Sequence, residues 1–369
     1  MPRAEGPGGL RARKKGEVWG VEGLMCHLEP VSPSTISRIK SAKITLLEND
    51  SELVCQADII LSIVPPRDAI ATARRIADAC HSSAGITARN ARRGTTSAPL
   101  DLTFVDLNAI SLNRVTLISN LLSSKVAEEG RPEPLRRQTS LLSRFSSSPP
   151  KDPPPEPIPI TFIDGAIIGP PPRRKPEHNK EWTLPSLVLS GPSLPTSLSP
   201  DLRQILHVTH VSPQLGGAST LKSCFASLTK GLTALSILSF TTAQSASLLP
   251  HLTSHLEKYS PGTLSLVKNA LPAVPAKAHR WVDEMRQIGE NFAEVGGLQE
   301  GRDAFDGFAG LYALVAEETE LGREGKRGKN VEDVLATVEA GVKRRRRKYG
   351  AVGEEGEEDL SLTWRGSWT

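Results

Sequence analysis

The sequence predicts an α/β domain built on a parallel sheet, followed by an all-helical domain. Two observations indicate this division. Short apolar strand patterns alternate with helical patterns as far as Val211, and this alternation is typical of a parallel sheet covered by helices. Beyond that residue, apolar side chains recur only at helical spacing. We therefore expect the sheet to end shortly before the second half of the chain becomes helical throughout.

Composition limits the classes of protein that fit. The chain has 369 residues, which is enough for two domains, and its 45 basic and 41 acidic residues give a formal charge of only +4. Its four cysteines lie far apart without metal-ligand spacing, so we expect no metal site and reduced thiols. We see no apolar run of the roughly 20 residues that a membrane span needs. The predicted location is the cytoplasm.

The first 33 residues do not follow the pattern of the rest. A Gly-rich stretch, Gly6–Ala12, has no apolar strand before it and is followed by basic residues, so we interpret it as a coincidental tail. We expect residues 1–33 to be an atypical, disordered N-terminus. The predicted sheet domain covers residues 34–212 and begins with a short helix and a strand within Ser34–Ile44.

Two strands and a helix are predicted in the first half of this domain. Ala57–Val64 is an apolar run that Pro65 and Pro66 close, which is typical of a buried parallel strand. A proline suits the first turn of a helix, and Arg67–Cys80 follows with helical spacing. After a Gly/Arg-rich insertion at residues 82–99, the next strand is Leu102–Asp106.

Residues 125–159 interrupt the domain. This segment is rich in proline and serine and has few apolar groups, so it cannot bury enough surface to fold, and we expect a disordered insertion. The strand Ile160–Ile163 then leads into a predicted turn, Asp164–Gly169. Two further apolar strands, Thr183–Ser190 and Leu206–Val211, complete the predicted sheet.

The segment Gln214–Lys230 is the candidate for the chemistry. A Gly pair opens a helical pattern in which Lys222 has a small residue one turn before it, Ala218, and one turn after it, Ala226. This leaves room for a ligand, and burial would lower the pKa of the amine toward a value useful in proton transfer. The alternative is that Lys222 is a solvated surface lysine, as most helical lysines are.

This segment resembles the lysine helix of the β-hydroxyacid dehydrogenases, the group that includes 6-phosphogluconate dehydrogenase and the hydroxyisobutyrate enzymes. Gly216, Gly217 and Lys222 fit that pattern, whereas Ala226 stands where an asparagine is expected. The motifs DLNAIS, DGAIIG and GGASTLK also follow one another in the family's order. AHRWVDEM, at Ala278–Met285, resembles the signature of a subgroup with a phosphogluconate-dehydrogenase-like NAD-binding domain and a distinctive helical C-terminal domain.

The resemblance implies a Rossmann-like sheet domain and an NAD(P)-dependent oxidoreductase that acts on a small hydroxy acid. It implies that Lys222 is catalytic and exchanges the hydroxyl proton, with NADP or NAD as cofactor. The implied substrate-binding residues are Asp164, Gly165, Gly169 and Ser111. The implied cofactor-binding residues are Val64, Pro65, Pro66 and Asn108. No apolar strand leads into a G-x-G-x-x-G turn in this sequence, so we expect cofactor binding to be weakened.

The helical domain is predicted to cover residues 213–342 and to form a homodimer, with a charged, disordered tail at residues 343–369. The basic run Lys343–Lys348 in that tail suits a helix C-terminus. It could also be read as a nucleic-acid patch, but it lacks the interleaved aromatic residues that stack on bases, and we expect no nucleic-acid partner.

One rival hypothesis concerns the whole chain. A non-enzymatic relative could keep the scaffold for oligomerisation or ligand sensing after losing the phosphate-binding turn. The missing G-x-G-x-x-G is the feature that favours it.

Overall fold

The computed structural model describes residues 7–15, 18–26, 33–93, 101–123, 156–174 and 182–350. Most of the predicted insertion and the end of the predicted tail lie outside these ranges. The chain forms two compact units. The first contains the described residues up to Phe225 together with Glu290–Gln299, and the second contains Ala226–Gly289 and the residues from Glu300 onward. The first unit thus extends past the predicted boundary at residue 212 to include the lysine helix.

The first unit is built on an eight-stranded sheet in the order β10-β9-β6-β5-β4-β1-β2-β3. Its strands are β1 (Pro7–Lys15), β2 (Val18–Cys26), β3 (Thr45–Leu47), β4 (Ile59–Ser62), β5 (Leu102–Asp106), β6 (Ile160–Ile168), β9 (Ser186–Ser190) and β10 (Val208–Ser212). A separate ribbon pairs β7 (Arg173–Arg174) with β8 (Trp182–Thr183). The neighbours β4, β5 and β6 are parallel, β9 is antiparallel to β6, and β10 is parallel to β9. The α/β class of this part of the chain is confirmed.

The N-terminus differs from the prediction. Residues 7–15 and 18–26 are strands of the sheet, which differs from the disorder expected there. β1 lies between β4 and β2, and Pro7–Leu10 pairs antiparallel with Ser62–Ile59. The sequence misled because glycine and lysine are depleted in strands. The element that follows β1 among the described residues is β2, not a helix.

Seven helices described in the first unit surround the sheet. They are α1 (Pro33–Ser41), α2 (Asp50–Gln56), α3 (Ala69–His81), α4 (Ser83–Arg93), α5 (Leu112–Leu122), α6 (Pro200–Ile205) and α7 (Gly217–Ala226), whose last residue is counted with the second unit. The predicted Gly/Arg-rich insertion at residues 82–99 is therefore mostly helix α4. Buried Arg89 of this helix donates to the carbonyl oxygens of Val54 and Ala57 at 2.5 and 2.9 Å, which satisfies carbonyl groups at the end of α2.

The central strands β4, β5 and β6 are buried on both faces of the sheet. Ile60, Phe104 and Phe162 belong to a core that also includes side chains of α2 to α5. The preceding or following residues of the same strands, such as Val105 and Ile163, belong to a second core on the opposite face. Burial on both faces explains why these strands are continuous apolar runs without alternation.

The second unit is helical throughout the described residues. It contains α8 (Leu232–Ser245), α9 (Leu249–Tyr259), α10 (Pro261–Ala270), most of α11 (Ala278–Glu294), α12 (Gln299–Ala313, whose first residue is counted with the first unit), α13 (Glu320–Arg323) and α14 (Val331–Gly350). Two π-helical turns, Ser227–Gly231 and Leu314–Glu318, precede α8 and follow α12. Pro250 lies in the first turn of α9, where a proline is tolerated. The helical C-terminal region is confirmed.

One segment, Gly217–Ser245, is long and apolar enough to cross a membrane by length and composition, with 39% of its most apolar window buried. This differs from the reading that the sequence has no such run. The run is not obvious in the sequence because serine and threonine residues interrupt its aliphatic residues without adding charge. The core helices of soluble proteins pass the same test. That the protein has no membrane partner stays a prediction.

Candidate active site

The Gly pair before the lysine helix is required by the local backbone. Gly216 has φ +91°, in the left-handed region that favours glycine, and a Cβ there would lie 2.4 Å from Leu112 Cδ1. A Cβ on Gly217 would lie 2.6 Å from the Cβ of Ser212. α7 begins at Gly217, as the sequence pattern predicts.

Lys222 is partly buried on α7 rather than extended into solvent. Its Nζ donates a hydrogen bond of 2.7 Å to the carbonyl oxygen of Ile167 on β6 and lies 5.9 Å from the ring centroid of Phe225. Ala218, one turn earlier, is buried. Burial lowers the pKa of the Lys222 amine. An amine with one donated bond and a lowered pKa is suited to exchange a proton with a ligand.

Asp164 lies at the N-terminus of α7. Its Oδ2 accepts hydrogen bonds from the Ser190 hydroxyl at 2.7 Å and from the backbone N–H groups of Ala218 and Ser219 at 3.0 and 3.1 Å. Its Oδ1 accepts from the Ser219 hydroxyl at 2.5 Å. The carboxylate is 0% exposed. It therefore caps the lysine helix, whereas the resemblance implied a contact with substrate.

The predicted turn Asp164–Gly169 is mostly strand. β6 runs on to Ile168, and Asp164–Ile168 pairs antiparallel with β9, so the chain leaves the sheet only at Gly169, which has φ +116°. Gly165 is buried, and a Cβ there would lie 2.7 Å from Leu107 Cδ2 and 2.8 Å from Leu189 Cδ2. Packing inside the sheet accounts for a glycine at this position.

Asn108 directs its amide into the protein. Its Oδ1 accepts from the Val64 N–H at 2.6 Å, while its Nδ2 donates to Ser62 Oγ at 2.9 Å and to Asp106 Oδ1 at 2.5 Å. The residue is 7% exposed. Asn108 thus fixes the start of the segment Val64–Pro66 instead of presenting its amide to a ligand.

The remaining predicted residues lie near these groups. Val64 and Pro65 are partly buried, Pro66 is buried at the start of a 3₁₀ turn, and Ser111 is the buried N-cap residue of α5. Neither proline has an N–H, and the Val64 N–H is bonded to Asn108. This segment can line a ligand by apolar contact, but these groups do not supply the amides that hold a phosphate.

Asn291 is a site residue that the sequence did not reveal. Its Oδ1 accepts from the Leu112 N–H at 3.0 Å, and its Nδ2 donates to the Ile110 carbonyl at 3.3 Å and to the Ser223 hydroxyl at 2.6 Å. It therefore joins the loop after β5 to the residue beside Lys222. Gln287 and Asn291 are both buried and lie four residues apart on α11, and a buried amide needs partners. Their neighbours at helical spacing are largely acidic, so the sequence gives no signal of this burial.

The first unit thus brings together Lys222, the end of β6 and the loop between β5 and α5. Among the residues that the structure describes, no group of three or more His, Cys, Asp and Glu could hold a metal ion.

The helical region matches a family model. Residues 243–315 match the model described as "Domain of unknown function (DUF1932)". The chain carries a DUF1932 domain. Its matched residues lie in the second unit apart from Glu290–Gln299, and they include Ala278–Met285, the stretch whose signature the sequence analysis singled out. No curated protein matches the sequence.

Solved structures provide a second comparison. It is similar to a conserved hypothetical protein from Sinorhizobium meliloti 1021, at 16% identity over 84% of each chain and a TM-score of 0.47. It is also similar to Mycobacterium tuberculosis 3-hydroxyisobutyrate dehydrogenase with L-serine, at 12% identity over 83% of this chain and 87% of that one, with a TM-score of 0.45. It is similar as well to an imine reductase from Myxococcus stipitatus in complex with NADP+, at 15% identity over 85% of this chain and 90% of that one, with a TM-score of 0.37. All three TM-scores lie below 0.5, so the fold assignment rests on the strands and helices described above.

Proposed function

We propose that this protein is an NAD(P)-dependent oxidoreductase of the hydroxyacid dehydrogenase type that acts on a small hydroxy acid. The observation that carries the proposal is the state of Lys222: a partly buried amine with a lowered pKa, held by the Ile167 carbonyl at 2.7 Å on a helix that a Gly pair opens. The order of the three sequence motifs around it supports the same reaction class.

Lys222 would act as the base for the substrate hydroxyl. A neutral amine accepts the hydroxyl proton at Nζ when the substrate is oxidised, and returns it when the reaction runs in reverse. Asn108 and Asn291 would act through the backbone, because their amides are bonded within the protein. Gly169, which is exposed at the end of β6, is the predicted substrate residue that could still approach a carboxylate closely.

The described residues fit only one part of a nicotinamide dinucleotide. Val64, Pro65 and Pro66 could line the nicotinamide end. A pyrophosphate is normally held by the N–H groups of a Gly-rich turn at a helix N-terminus, and the described strand β1 is followed by strand β2. We therefore expect weak binding of NADP or NAD and derive no step through the cofactor.

The same observation favours a second candidate function, a non-enzymatic relative that uses the scaffold to sense ligands or to assemble. The antiparallel β1 occupies the position beside β4, and Gly8 and Gly9 are paired with Leu61 and Ile60 rather than forming a turn.

A screen for turnover separates the two functions. The full chain would be incubated with 10 mM NADP or NAD and a panel of small 2- and 3-hydroxy acids, and reduced cofactor would be followed by absorbance. The oxidoreductase proposal expects reduced cofactor with at least one acid. The absence of turnover across the panel, together with saturable binding of an acid in the absence of cofactor, would favour the second candidate.

We also propose that the protein is a homodimer through its helical domain. Leu228, Leu235, Leu238 and Leu248 of the second unit are 75, 49, 45 and 53% exposed. The same unit has an open, largely apolar groove lined by residues that include Leu238, Leu248 and Leu252. Exposed apolar patches on soluble proteins mark sites of association.

A further inference from the structure

A row of buried polar residues crosses the sheet of the first unit. In register from one strand to the next it contains Ser62, Asp106, Asp164 and Ser190. All four are 0% exposed. Adjacent strands lie about 4.8 Å apart, and residues paired in register point to the same face. Two carboxyl groups, those of Asp106 and Asp164, therefore lie side by side inside the protein.

Among the residues that the structure describes, the hydrogen-bond partners of the two carboxyl groups are neutral. Asp164 accepts its hydrogen bonds from two serine hydroxyls and two backbone N–H groups. Asp106 accepts from the backbone N–H and the side-chain amide of Asn108, and it also bonds the Ser62 hydroxyl. Within the part of the chain that the structure describes, neither carboxyl group is paired with a lysine, arginine or histidine.

Two adjacent carboxylates without a cation cannot both be charged at low cost, because the repulsion between them is strong in a buried site. Asp164 is the better site for the negative charge, since it lies at the N-terminus of α7 and two backbone N–H groups point at it. Burial, and then the charge of Asp164, raises the pKa of Asp106 to about 7 against the hydrogen bonds of Asn108 and Ser62. Burial also raises the pKa of Asp164, against the hydrogen bonds from Ser219, Ser190 and Ala218 that lower it. The helix N-terminus at Asp164 is thus the geometric feature that favours Asp106 as the site of the proton.

The pair also connects two parts of the candidate site. Asp106 contacts the Asn108 amide, whose oxygen holds the Val64 N–H. Asp164 contacts the first turn of α7, the helix that carries Lys222. A change of charge on Asp106 therefore alters hydrogen bonds that lead to Val64 on one side and alters the field at the start of α7 on the other.

We propose that the Asp106–Asp164 pair holds one proton and one negative charge, and that Asp106 is a positioning residue, coupling the Val64 segment to the N-terminus of the lysine helix. This inference goes beyond the proposed function and stands whether or not the chain is an oxidoreductase.

The Asp106–Asp164 pair makes the free energy of unfolding depend on pH. The pKa of Asp106 is raised from 3.8 to about 7 in the folded protein, so between roughly pH 4 and pH 7 the folded state holds a proton that the unfolded state has lost. The contribution of Asp106 to the free energy of unfolding is therefore fully present below about pH 4. It falls as pH rises from about 4 to about 7 and changes little above that. The groups that face Asp106 are Asp164, Asn108 and Ser62, and of these only Asp164 is titratable.

The first test compares Asp106→Asn with the wild type. The urea midpoint of the full chain would be measured between pH 5 and pH 8.5. We expect the fall in midpoint across this range to be smaller in Asp106→Asn than in the wild type, because asparagine keeps the shape and cannot ionise. Asp101→Asn, at an exposed position just before β5, is the control and should retain the wild-type profile. An Asp106→Asn profile parallel to that of the wild type would overturn the proposal.

The second test needs no folded variant. Carboxyl ¹³C resonances of aspartate and the amide resonances of Val64 and Ser219 would be followed from pH 4 to pH 8.5 in the wild type. We expect one aspartate carboxyl to titrate near pH 7 and both amides to shift with the same midpoint. If every aspartate titrates below about pH 5, or if the two amides do not respond with the carboxyl, the proposal is wrong.

Discussion

At the scale of single residues, Asn291 holds the loop after β5 and the lysine helix together. Its three hydrogen bonds all go to groups of the protein, and the residue is 2% exposed. Removing the amide would leave the Leu112 N–H and the Ser223 hydroxyl buried without this partner. An unsatisfied buried group costs about 1–3 kcal/mol.

Asn291→Ala should therefore lower the free energy of unfolding by about 3 kcal/mol, because more than one buried group loses its partner. Urea denaturation of the full chain measures this change. Asn269→Ala, at an exposed position of α10, is the control and should change stability by less than about 0.5 kcal/mol. Equal effects of the two substitutions would show that Asn291 does not serve as a clamp.

Some site residues could be predicted from the sequence and others could not. Lys222 follows from local spacing after a Gly pair, because a helix places residues four apart on one face. Asn291 and Ser223 are separated by 68 residues, and nothing in a single sequence indicates that such distant residues meet. The sequence also does not show side-chain direction, which is why Asp164 and Asn108 were expected at the ligand and are bonded within the protein.

At the scale of elements, the prediction that the protein forms a homodimer depends on the exposed leucines of the second unit. In the sequence, Leu228 and Leu235 lie at helical spacing, which predicts a shared apolar face. The buried residues of α8 are instead Thr233, Ala234, Ser236, Ile237 and Phe240. The helical period was predicted correctly, but the period alone does not tell which apolar stripe the rest of the unit covers.

If these leucines meet a second copy, the Leu228→Asp/Leu235→Asp double variant should be monomeric. Sedimentation equilibrium should give the wild type twice the chain mass of 39.7 kDa and the double variant the single mass. Ile205→Asp changes a side chain that is 63% exposed on α6 and serves as the control that should remain dimeric. A monomeric wild type, or a double variant that stays dimeric, would contradict the proposed dimer.

At the scale of the whole molecule, the sequence predicted the order of sheet and helices but not the part of the sheet that β1 and β2 form. The parallel strands β4, β5 and β6 are apolar runs because they are buried on both faces, and such runs are readable. β1 contains glycine, arginine and lysine, and its place in the sheet depends on pairing with β4 and β2, which local propensity does not encode.

The arrangement of β1 predicts weak cofactor binding. Each charge-assisted hydrogen bond to a phosphate is worth about 1.5–3 kcal/mol, so the loss of two or three could weaken a micromolar site to roughly millimolar. Isothermal titration of the full chain with NADPH and with NADH measures this affinity. A dissociation constant near micromolar for either would mean that another segment replaces the Gly-rich turn.

The central claim is that Lys222 transfers the proton in the oxidation of a hydroxy acid, and one comparison tests it most directly. Turnover of the wild type would be compared with that of Lys222→Met at high cofactor concentration, and Lys268→Met, an exposed lysine on α10, would serve as the control. We expect Lys222→Met to lose roughly 100-fold or more in turnover with its fold intact, the scale of losing a general acid or base, and the control to match the wild type. A Lys222→Met variant that is as active as the wild type would contradict the account.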